Sequence, residues 1–534
     1  MNFNYDKTTF LIFINVFMLL FVSITIFSIR LYHKILKYKK NIDKTMSRRD
    51  VKITFFTVII MNFFFNLAVF FIQNATTTEP LRVVTRSLLN SYLGGNMANA
   101  HKIFSVDSFS TVSATMMSII AMISMFMALI ARKNVLSPTK TAFFILTTCG
   151  LTGTFYSNTL FALFFFILIT QVGVAGLYRG IPAKPTEIRE SWIFYFTRIV
   201  ILLIFLIGLI LLRDIYGTDN IHILSSLLKP GFYEQIAYVC LIVPSLFIFF
   251  KHTLYIRDEA CRCYFRLVAQ GSLFVVFKVV FMLYGPMSGL EKIPNVFLIL
   301  GIIGLALSTF IAPYHSDPEL FSEDIELYLK STLLIVLGIS MRSLYSAKAM
   351  VKFGIVASEA MISVWMLYLP LSVMFTILCI IFKRKEGKYE LWKYGAVATE
   401  HPITAVMALI AVFSIAGLPP FSGYMARQFL YRAVNNFQPV LMVFVFCMSF
   451  FMLVTNIKFF SSTLFIKKMD KDVNERKMHM NTIAIPLFLI IVLFFMTSIF
   501  PGLVFENYLS PAAKVLLNRE HIVNLNTEIN QNDL

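Results

Sequence analysis

Long apolar runs constrain this chain more than any other feature of its sequence. A helix needs about 20 apolar residues to cross a lipid bilayer, and runs of that length recur throughout the 534 residues. Hydrophobic residues make up 58% of the chain and charged residues only 14%, which is about half the usual charged fraction. Because a soluble core cannot absorb so much apolar sequence, the pattern predicts an all-α, polytopic membrane helix bundle.

We predict about fourteen spans, one of them interrupted. They lie at about 9–31, 51–73, 109–131, 141–156, 158–178, 191–212, 234–250, 266–284, 293–314, 327–347, 357–382, 403–436 (the interrupted span), 438–465 and 481–500. The shortest, 141–156, contains Cys149, Gly150 and Gly153. Such small residues indicate a helix that packs closely against its neighbours.

Two segments fall outside the spans. Residues 82–108 contain the break Gly94-Gly95 and are predicted to lie on the membrane surface. The polar residues 506–534 are predicted to form a tail in water. The chain is therefore divided into N-terminal spans with a surface loop (1–104), a transmembrane core (105–505) and this tail.

Basic residues concentrate in alternate loops, most densely at 32–50, 383–393 and 467–477. This asymmetry places the basic loops on one side of the membrane and both termini on the other. The loop after the ninth span is the exception, because it is acidic and contains Asp317, Glu319, Glu323 and Asp324. The net charge of +18 comes from such loops, and no nucleic-acid-reading motif accompanies it, so no nucleic-acid partner is predicted.

The interrupted span centres on Ala411–Tyr431, which reads AVFSIAGLPPFSGYMARQFLY. The two prolines of Gly417-Leu418-Pro419-Pro420 remove backbone donors and must break or kink a helix. Gly423 follows them and lets the backbone bend, and Arg427 places a charge just beyond the break. In lipid such a break is tolerated only inside protein or beside water. The alternative is a kinked helix whose arginine extends to the membrane surface.

Other ionisable residues inside the predicted spans are candidates for function, because a buried cation needs a partner or water. They are Arg198, Lys251, Lys278 and Glu359. Lys278 is central in its span, and a buried lysine readily exchanges a proton. Lys251 alternatively reaches the surface from a helix end. Glu359 alternatively stabilises a helix N-terminus. No metal constellation accompanies these residues.

The run Glu400-His401-Pro402 and the following AVFSIAGLPPFSGYMARQFLYRA resemble the antiporter-like subunits of respiratory complex I, most of all the subunit 2 branch. Weaker similarities appear in the family's order at Val106–Ser110, at Tyr195-Phe196 with Tyr216–Asn220, and at Ile499–Gly502. The resemblance covers residues from about 105 to 505. It implies a bundle of about fourteen helices with broken helices.

Members of this family carry a chain of ionisable groups across the membrane midplane. Lys278 matches the family's helix-eight lysine, and Arg427 occupies the position of its helix-twelve lysine or glutamate. The resemblance implies a hydrated axis between broken helices, with Lys278 as the switchable base. Arg427 and Arg198 would bias the pKa of Lys278 through like charge.

Three positions depart from the family pattern. The helix-five glutamate falls at Leu168 or Gln171, and neither residue is acidic. The helix-six lysine falls at Phe194, one turn from Arg198. The helix-seven lysine falls near Ser245, and Lys251 is displaced from it by more than a turn. These departures favour a degenerate proton path, because Gln and Arg order water but do not readily exchange protons.

The resemblance implies a subunit of NADH:ubiquinone oxidoreductase that takes part in proton translocation. The chain itself would bind no cofactor, and NADH, FMN, iron–sulfur clusters and ubiquinone would lie in other subunits. Its partners would be other membrane-arm subunits and membrane lipids. The bias towards Phe, of which there are 56, is typical of AT-rich genomes. It favours an organelle-encoded, multi-pass protein of the mitochondrial inner membrane.

Four alternatives stay open at this point. The chain could be a scaffold subunit of the same complex that does not conduct protons. It could be the subunit 4 paralogue, which has the same helix count, although the double proline favours subunit 2. It could belong to a multisubunit cation/proton antiporter, which shares the fold. An unrelated carrier or receptor is the last, and the ordered family-like fragments argue against it.

Overall fold

The structure is a computed structural model and describes the chain in segments. The described residues are 3–40, 48–76, 104–130, 138–178, 185–250, 259–383, 385–386, 389–390, 402–419, 421, 423–465, 488, 490, 492 and 509–517. Lys251, Pro420 and most of the span predicted at 481–500 lie outside them.

Packing divides the described residues into two units. The first takes the residues up to 250 together with 267–287, and the second takes 259–266 together with 288–517. This division rests on packing and does not test the three segments drawn from the sequence. The segments 1–104, 105–505 and 506–534 stay a prediction.

The first unit consists of helices that the apolar runs predict. They are α1 (Phe3–Lys40), α2 (Arg48–Thr76), α3 (Ser108–Ile130), α4 (Pro138–Tyr156), α5 (Leu160–Tyr178), α6 (Pro185–Tyr216), α7 (Ile221–Leu227) and α8 (Phe232–Phe250). Helix α4 packs against α1 and α5, and α6 packs against α8. Asp107 caps α3, since its carboxylate accepts hydrogen bonds from the backbone N–H and the hydroxyl of Ser110 at 2.6 and 2.9 Å.

Helix α9 (Glu259–Phe277) continues into a π-helical turn, Lys278–Tyr284. The second unit holds α10 (Ile293–Ile311), α11 (Pro318–Ser343), α12 (Ile355–Lys383), α13 (Pro402–Ala416), α14 (Gly423–Phe437), α15 (Pro439–Phe465) and α16 (Ser510–Leu517). Short turns occur at Ala312–Tyr314, Ala347–Ala349 and Met350–Gly354. A small antiparallel hairpin pairs β1 (Lys385–Glu386) with β2 (Tyr389–Glu390). Helix α11 packs against α10 and α12.

Ten helices among the described residues are long and apolar enough to cross a membrane, so the chain is a multi-pass membrane protein. Three more predicted spans are helical but depart from that pattern. Threonines dilute the apolar sequence of α4, charges interrupt α11, and the broken span forms the two shorter helices α13 and α14. The predicted close packing of α4 is confirmed, because a Cβ added at Gly150 would lie 2.3 Å from Oγ1 of Thr170.

One predicted boundary is wrong. The acidic segment predicted as the ninth loop is mostly helical, because α11 begins at Pro318 and includes Glu319, Glu323 and Asp324. Its first turn is fixed by Asp317, whose carboxylate accepts the backbone N–H of Glu319 at 2.8 Å. The segment predicted as a tail contains a helix, since α16 buries the apolar face that contains Ala512, Ala513, Leu516 and Leu517.

The break between α13 and α14 has the geometry of a Schellman motif. Gly417 has φ +72, the left-handed conformation that favours glycine. Its N–H donates to the carbonyl of Ser414 at 3.2 Å, and the N–H of Leu418 donates to the carbonyl of Phe413 at 3.1 Å. Glycine therefore ends α13 before the chain reaches Pro419, which lies exposed.

Gly423 brings the two halves of the broken helix into contact. A Cβ added there would lie 1.5 Å from the carbonyl oxygen of Ser414. The backbone, not a mobile side chain, occupies that space, so only glycine fits without moving one half from the other.

We expect Gly423→Ala to destabilise the folded chain by about 3 kcal/mol or more, because the clash cannot be relieved by a rotamer change. Thermal unfolding of the purified protein in detergent measures the effect. Tyr424→Phe is the matched control, since Tyr424 is 38% exposed and the change removes only a hydroxyl. Equal melting temperatures for Gly423→Ala and the wild type would contradict the close approach.

Candidate functional site

Lys278 is buried in the first unit and is held by a helix end. It opens the π-helical turn after α9 and is 1% exposed. Its ammonium donates to the carbonyl oxygens of Phe155 at 2.8 Å and Ser157 at 2.6 Å. Because α4 ends at Tyr156, the cation occupies the negative end of that helix dipole.

The other neighbours of Lys278 do not form an ion pair with it. The ring of Phe274 lies 5.2 Å from Nζ. Asp107 attracts the ammonium electrostatically, and among the described residues no carboxylate lies within ion-pair distance of it. The ammonium is thus held by neutral acceptors, which stabilise its positive charge without forming an ion pair with it.

Arg427 closes the broken helix of the second unit. Its Nε and Nη2 donate to the carbonyl oxygen of Ile415 at 3.3 and 3.1 Å, and Nη1 donates to the hydroxyl of Ser449 at 2.9 Å. Nη2 also donates to the hydroxyl of Tyr328, whose ring centre lies 5.0 Å from the guanidinium carbon. Ile415 lies in the last turn of α13, so a cation on α14 stabilises the end of α13.

Arg198 and Gln171 meet inside the first unit. Arg198 is 5% exposed and donates from Nη1 to Oε1 of Gln171, which is 3% exposed. The guanidinium carbon lies 4.9 Å from the ring centre of Phe194. The structure thus brings together Gln171, one of the two residues at which the helix-five acid is predicted to fall, and Arg198, one turn from the predicted helix-six position. The Nε of Arg198 has no hydrogen-bond partner among the described residues.

The remaining candidates either lie apart from these groups or are not among the residues that the structure describes. Glu359, in the second turn of α12, is 7% exposed, forms a hydrogen bond with Ser510 and is attracted by Lys514 of α16. It therefore joins the C-terminal helix to α12, and its part in a proton path stays a prediction. Lys251 and Pro420 lie outside the described residues.

The sequence analysis missed several buried polar residues. Tyr328 and Ser449 complete the Arg427 site, and they carry no charge that would mark them. Arg266, Glu326 and Lys330 form a separate ionic cluster in the second unit. The Glu326–Lys330 spacing of four on a helix was the available signal, and Asp317-Pro318 marked the start of that helix.

The candidate residues can supply positive charge or exchange a proton. Within the described ranges, no group of three His, Cys, Asp or Glu side chains is placed to hold a metal ion. Arginine stays charged under almost all conditions, so Arg198 and Arg427 supply fixed positive charge. Lys278 is the member of the set whose charge can change.

Comparison with known proteins gives a family match over part of the chain. Residues 343–455, from the last residue of α11 into α15, match the family model described as NADH:quinone oxidoreductase/Mrp antiporter, TM. NADH-quinone oxidoreductase subunit N of Pelagibacter ubique (strain HTCC1062) is 30% identical over 69 residues, which are 13% of this chain and 15% of that protein. The chloroplastic NAD(P)H-quinone oxidoreductase subunit 2 of Mesostigma viride is 25% identical over 151 residues, 28% of each. The matched segments span less than a third of either relative.

The fold is matched over nearly the whole chain. A chain in the structure of the Mrp complex from Dietzia sp. DQ12-45-1b has a TM-score of 0.72 over 97% of this chain and 98% of that one, at 15% identity. A chain of respiratory complex I from Thermus thermophilus has a TM-score of 0.64 over 92% and 98%, at 11% identity. The predicted antiporter-like, all-α membrane fold is confirmed.

We expect Arg427→Lys to destabilise the chain by about 2 kcal/mol, because a lysine cannot reach Ile415, Tyr328 and Ser449 together. Arg432→Lys is the control, since Arg432 lies exposed on the same helix. Chemical unfolding in detergent compares the two variants. A loss of stability that is no larger for Arg427→Lys than for Arg432→Lys would refute the capping role.

Gln171 variants test how Arg198 is stabilised. Gln171→Leu is expected to cost about 3 kcal/mol, because it removes the hydrogen bond of a buried cation. Gln171→Glu is expected to raise the melting temperature above that of the wild type, because it supplies an opposite charge. If both variants melt at the wild-type temperature, Gln171 does not hold Arg198.

Proposed function

We propose that the chain is a membrane-arm subunit of an NADH–quinone oxidoreductase and takes part in proton translocation. The observation that carries the proposal is Lys278, a buried lysine held by two carbonyl oxygens at the end of α4. The family match at 343–455 and the relatives named subunit N and subunit 2 support the same assignment.

In this proposal Lys278 is the group that exchanges a proton. With neutral acceptors around it, the ammonium gives up its proton to water at a lower electrostatic cost than an ion-paired lysine would. The partial negative charge at the end of α4 attracts the next proton back. Arg198 and Arg427 do not titrate and act as fixed charges.

The finer assignments belong to the same proposal. Ubiquinone is the acceptor reduced elsewhere in the complex, and NADH, FMN and iron–sulfur clusters are bound by other subunits. The partners are other membrane-arm subunits and membrane lipids. The protein resides in the mitochondrial inner membrane and is organelle-encoded, which the AT-rich character of the sequence supports. Among the paralogues, the double proline at Pro419-Pro420 favours subunit 2.

Two other functions have an observation in their favour. The Gln171–Arg198 pair favours a scaffold subunit with a degenerate proton path, because neither side chain readily carries a proton. The TM-score of 0.72 with a chain of the Mrp complex favours a cation/proton antiporter component. Purification of the native complex distinguishes the second, since an antiporter would copurify without NADH-dependent quinone reduction.

Lys278→Arg and Lys278→Met test the conducting role. In both variants we expect the number of protons that this subunit contributes per NADH oxidised to fall by about tenfold or more, because neither side chain exchanges a proton. Lys278→Arg keeps the positive charge and so controls for loss of the α4 contact. The measurement is proton uptake by vesicles that contain the purified complex.

Lys348→Met is the matched control, because Lys348 lies exposed on a short helical turn. It should leave proton uptake unchanged. A wild-type proton stoichiometry in Lys278→Arg and Lys278→Met would overturn the conducting role and leave the scaffold function.

A further inference from the structure

A second set of charged side chains is buried in the second unit and includes none of the residues that the family resemblance singles out. Arg266 of α9 is 1% exposed, Glu326 and Lys330 of α11 are 1% and 3% exposed, and Tyr368 of α12 is 0% exposed. Glu323, also on α11, is 7% exposed. We call these five residues the α11 cluster.

Glu326 is the centre of the α11 cluster. Its Oε1 accepts a hydrogen bond from the ammonium of Lys330 at 2.6 Å and another from the hydroxyl of Tyr368 at 2.9 Å. Its Oε2 lies 3.0 Å from Nε of Arg266. One carboxylate therefore joins two cations and a phenol, contributed by three helices.

Arg266 is held rigidly on the other side of Glu326. Its Nη2 donates to the hydroxyl of Ser322 at 3.0 Å and lies 3.5 Å from Oε1 of Glu323, and its Nη1 donates to the carbonyl of Ser372. An arginine stays charged even when buried. The cluster thus contains one fixed cation and one cation, Lys330, that can lose its charge.

The charges of the α11 cluster balance, with two cations and two carboxylates. Moving one proton from Lys330 to Glu326 leaves a neutral amine and a neutral carboxylic acid, while Arg266 and Glu323 keep their charges. The total stays at zero, so the transfer buries no net charge. It removes the desolvation cost of two buried ions and gives up the attraction of the Glu326 carboxylate to Lys330 and Arg266.

We propose that the α11 cluster is a second proton-holding site, resting on the proposed role of the chain in proton translocation. The N–H bond of Lys330 breaks as the O–H bond of Glu326 forms at Oε1. The neutral amine of Lys330 then takes a proton from water. The hydroxyl of Tyr368, which donates to Oε1 in the structure, turns and gives its own proton to water while its oxygen accepts the proton that Glu326 releases, and one proton has crossed the cluster.

The groups around the α11 cluster are consistent with this assignment. Helix α10, which packs along α11, contains no ionisable side chain. On α11 itself, Asp324 pairs with His315 at 2.5 Å and Glu319 pairs with Arg262 at 3.1 Å. From α14, Arg427 reaches α11 through the hydroxyl of Tyr328.

Two further titratable groups on the packed helices contact other residues. On α12, Glu359 forms a hydrogen bond with Ser510 of α16. On α14, Tyr431 completes the surroundings of Arg427. In the described part of the chain, Lys330 and Arg266 are the cations that contact the carboxylate of Glu326.

Infrared spectroscopy of the full-length chain in detergent tests proton holding without any transport assay. We expect a carbonyl stretching band from a protonated carboxyl group that shifts in deuterium oxide. The band should vanish in Glu326→Gln and persist in Glu319→Gln, a matched change two turns earlier on α11. A wild-type band in Glu326→Gln, or no such band in the wild type, would overturn the proposal.

Transport by the complex in vesicles separates proton holding from a purely structural clamp. Lys330→Arg keeps the ion pair with Glu326 but cannot release a proton. Glu326→Gln with Lys330→Gln removes both charges together and leaves neutral polar groups. We expect both variants to assemble and to lower the number of protons moved per NADH oxidised, and Tyr368→Phe to do the same. Normal stoichiometry in all three would show a clamp and overturn the proposal.

The proposed function fails in a different way. If Lys278→Met lowers proton uptake while the α11 cluster variants leave both the infrared band and proton uptake unchanged, the proposed function stands and the second site is wrong. If the band depends on Glu326 but no variant of Lys278 or of the cluster alters proton uptake, the role in translocation is wrong, and with it the relay through Tyr368.

Discussion

Carbonyl oxygens left over at helix ends are the constraint on which the buried part of this protein depends. Lipid offers no hydrogen-bond donors, so an interrupted helix must find them inside the protein. At the end of α4, the ammonium of Lys278 donates to two carbonyl oxygens. At the end of α13, two N–H groups of Arg427 donate to one carbonyl oxygen. Each cation is stabilised in turn by the dipole that it faces. Break and charge therefore depend on each other, and neither is stable alone in a bilayer.

The buried cations are balanced in two physically different ways. Lys278, Arg198 and Arg427 face neutral oxygens and aromatic rings, so each retains a net positive charge. Arg266 and Lys330 face carboxylates, so their charges cancel. The first arrangement creates a positive potential that repels a second proton. The second arrangement allows a proton to move within the cluster without changing its net charge.

Much of the helical architecture could be predicted, because an apolar run of membrane length is a property of local sequence. The break at Gly417 and the charge of Arg427 behind it could be predicted for the same reason, and so could the burial of Lys278. The helical course of Glu323 and Asp324 could not, because a hydropathy argument treats each charge as exposed. Asp324 pairs with the nearby His315, but Glu323 pairs with Arg266, which comes from a distant part of the chain. Pairing of that kind is a tertiary property.

The charges on α11 also bear on how the chain enters the membrane during synthesis. Placing an ionised side chain in the middle of a membrane helix costs roughly 2.5–3.5 kcal/mol on insertion scales, and α11 contains Glu323, Glu326 and Lys330. Lys330 can be neutralised by Glu326 within α11, but Glu323 needs Arg266, which is translated earlier. We therefore expect α11, which is too polar to enter lipid alone, to leave the translocon together with α9, whose Arg266 supplies the opposite charge.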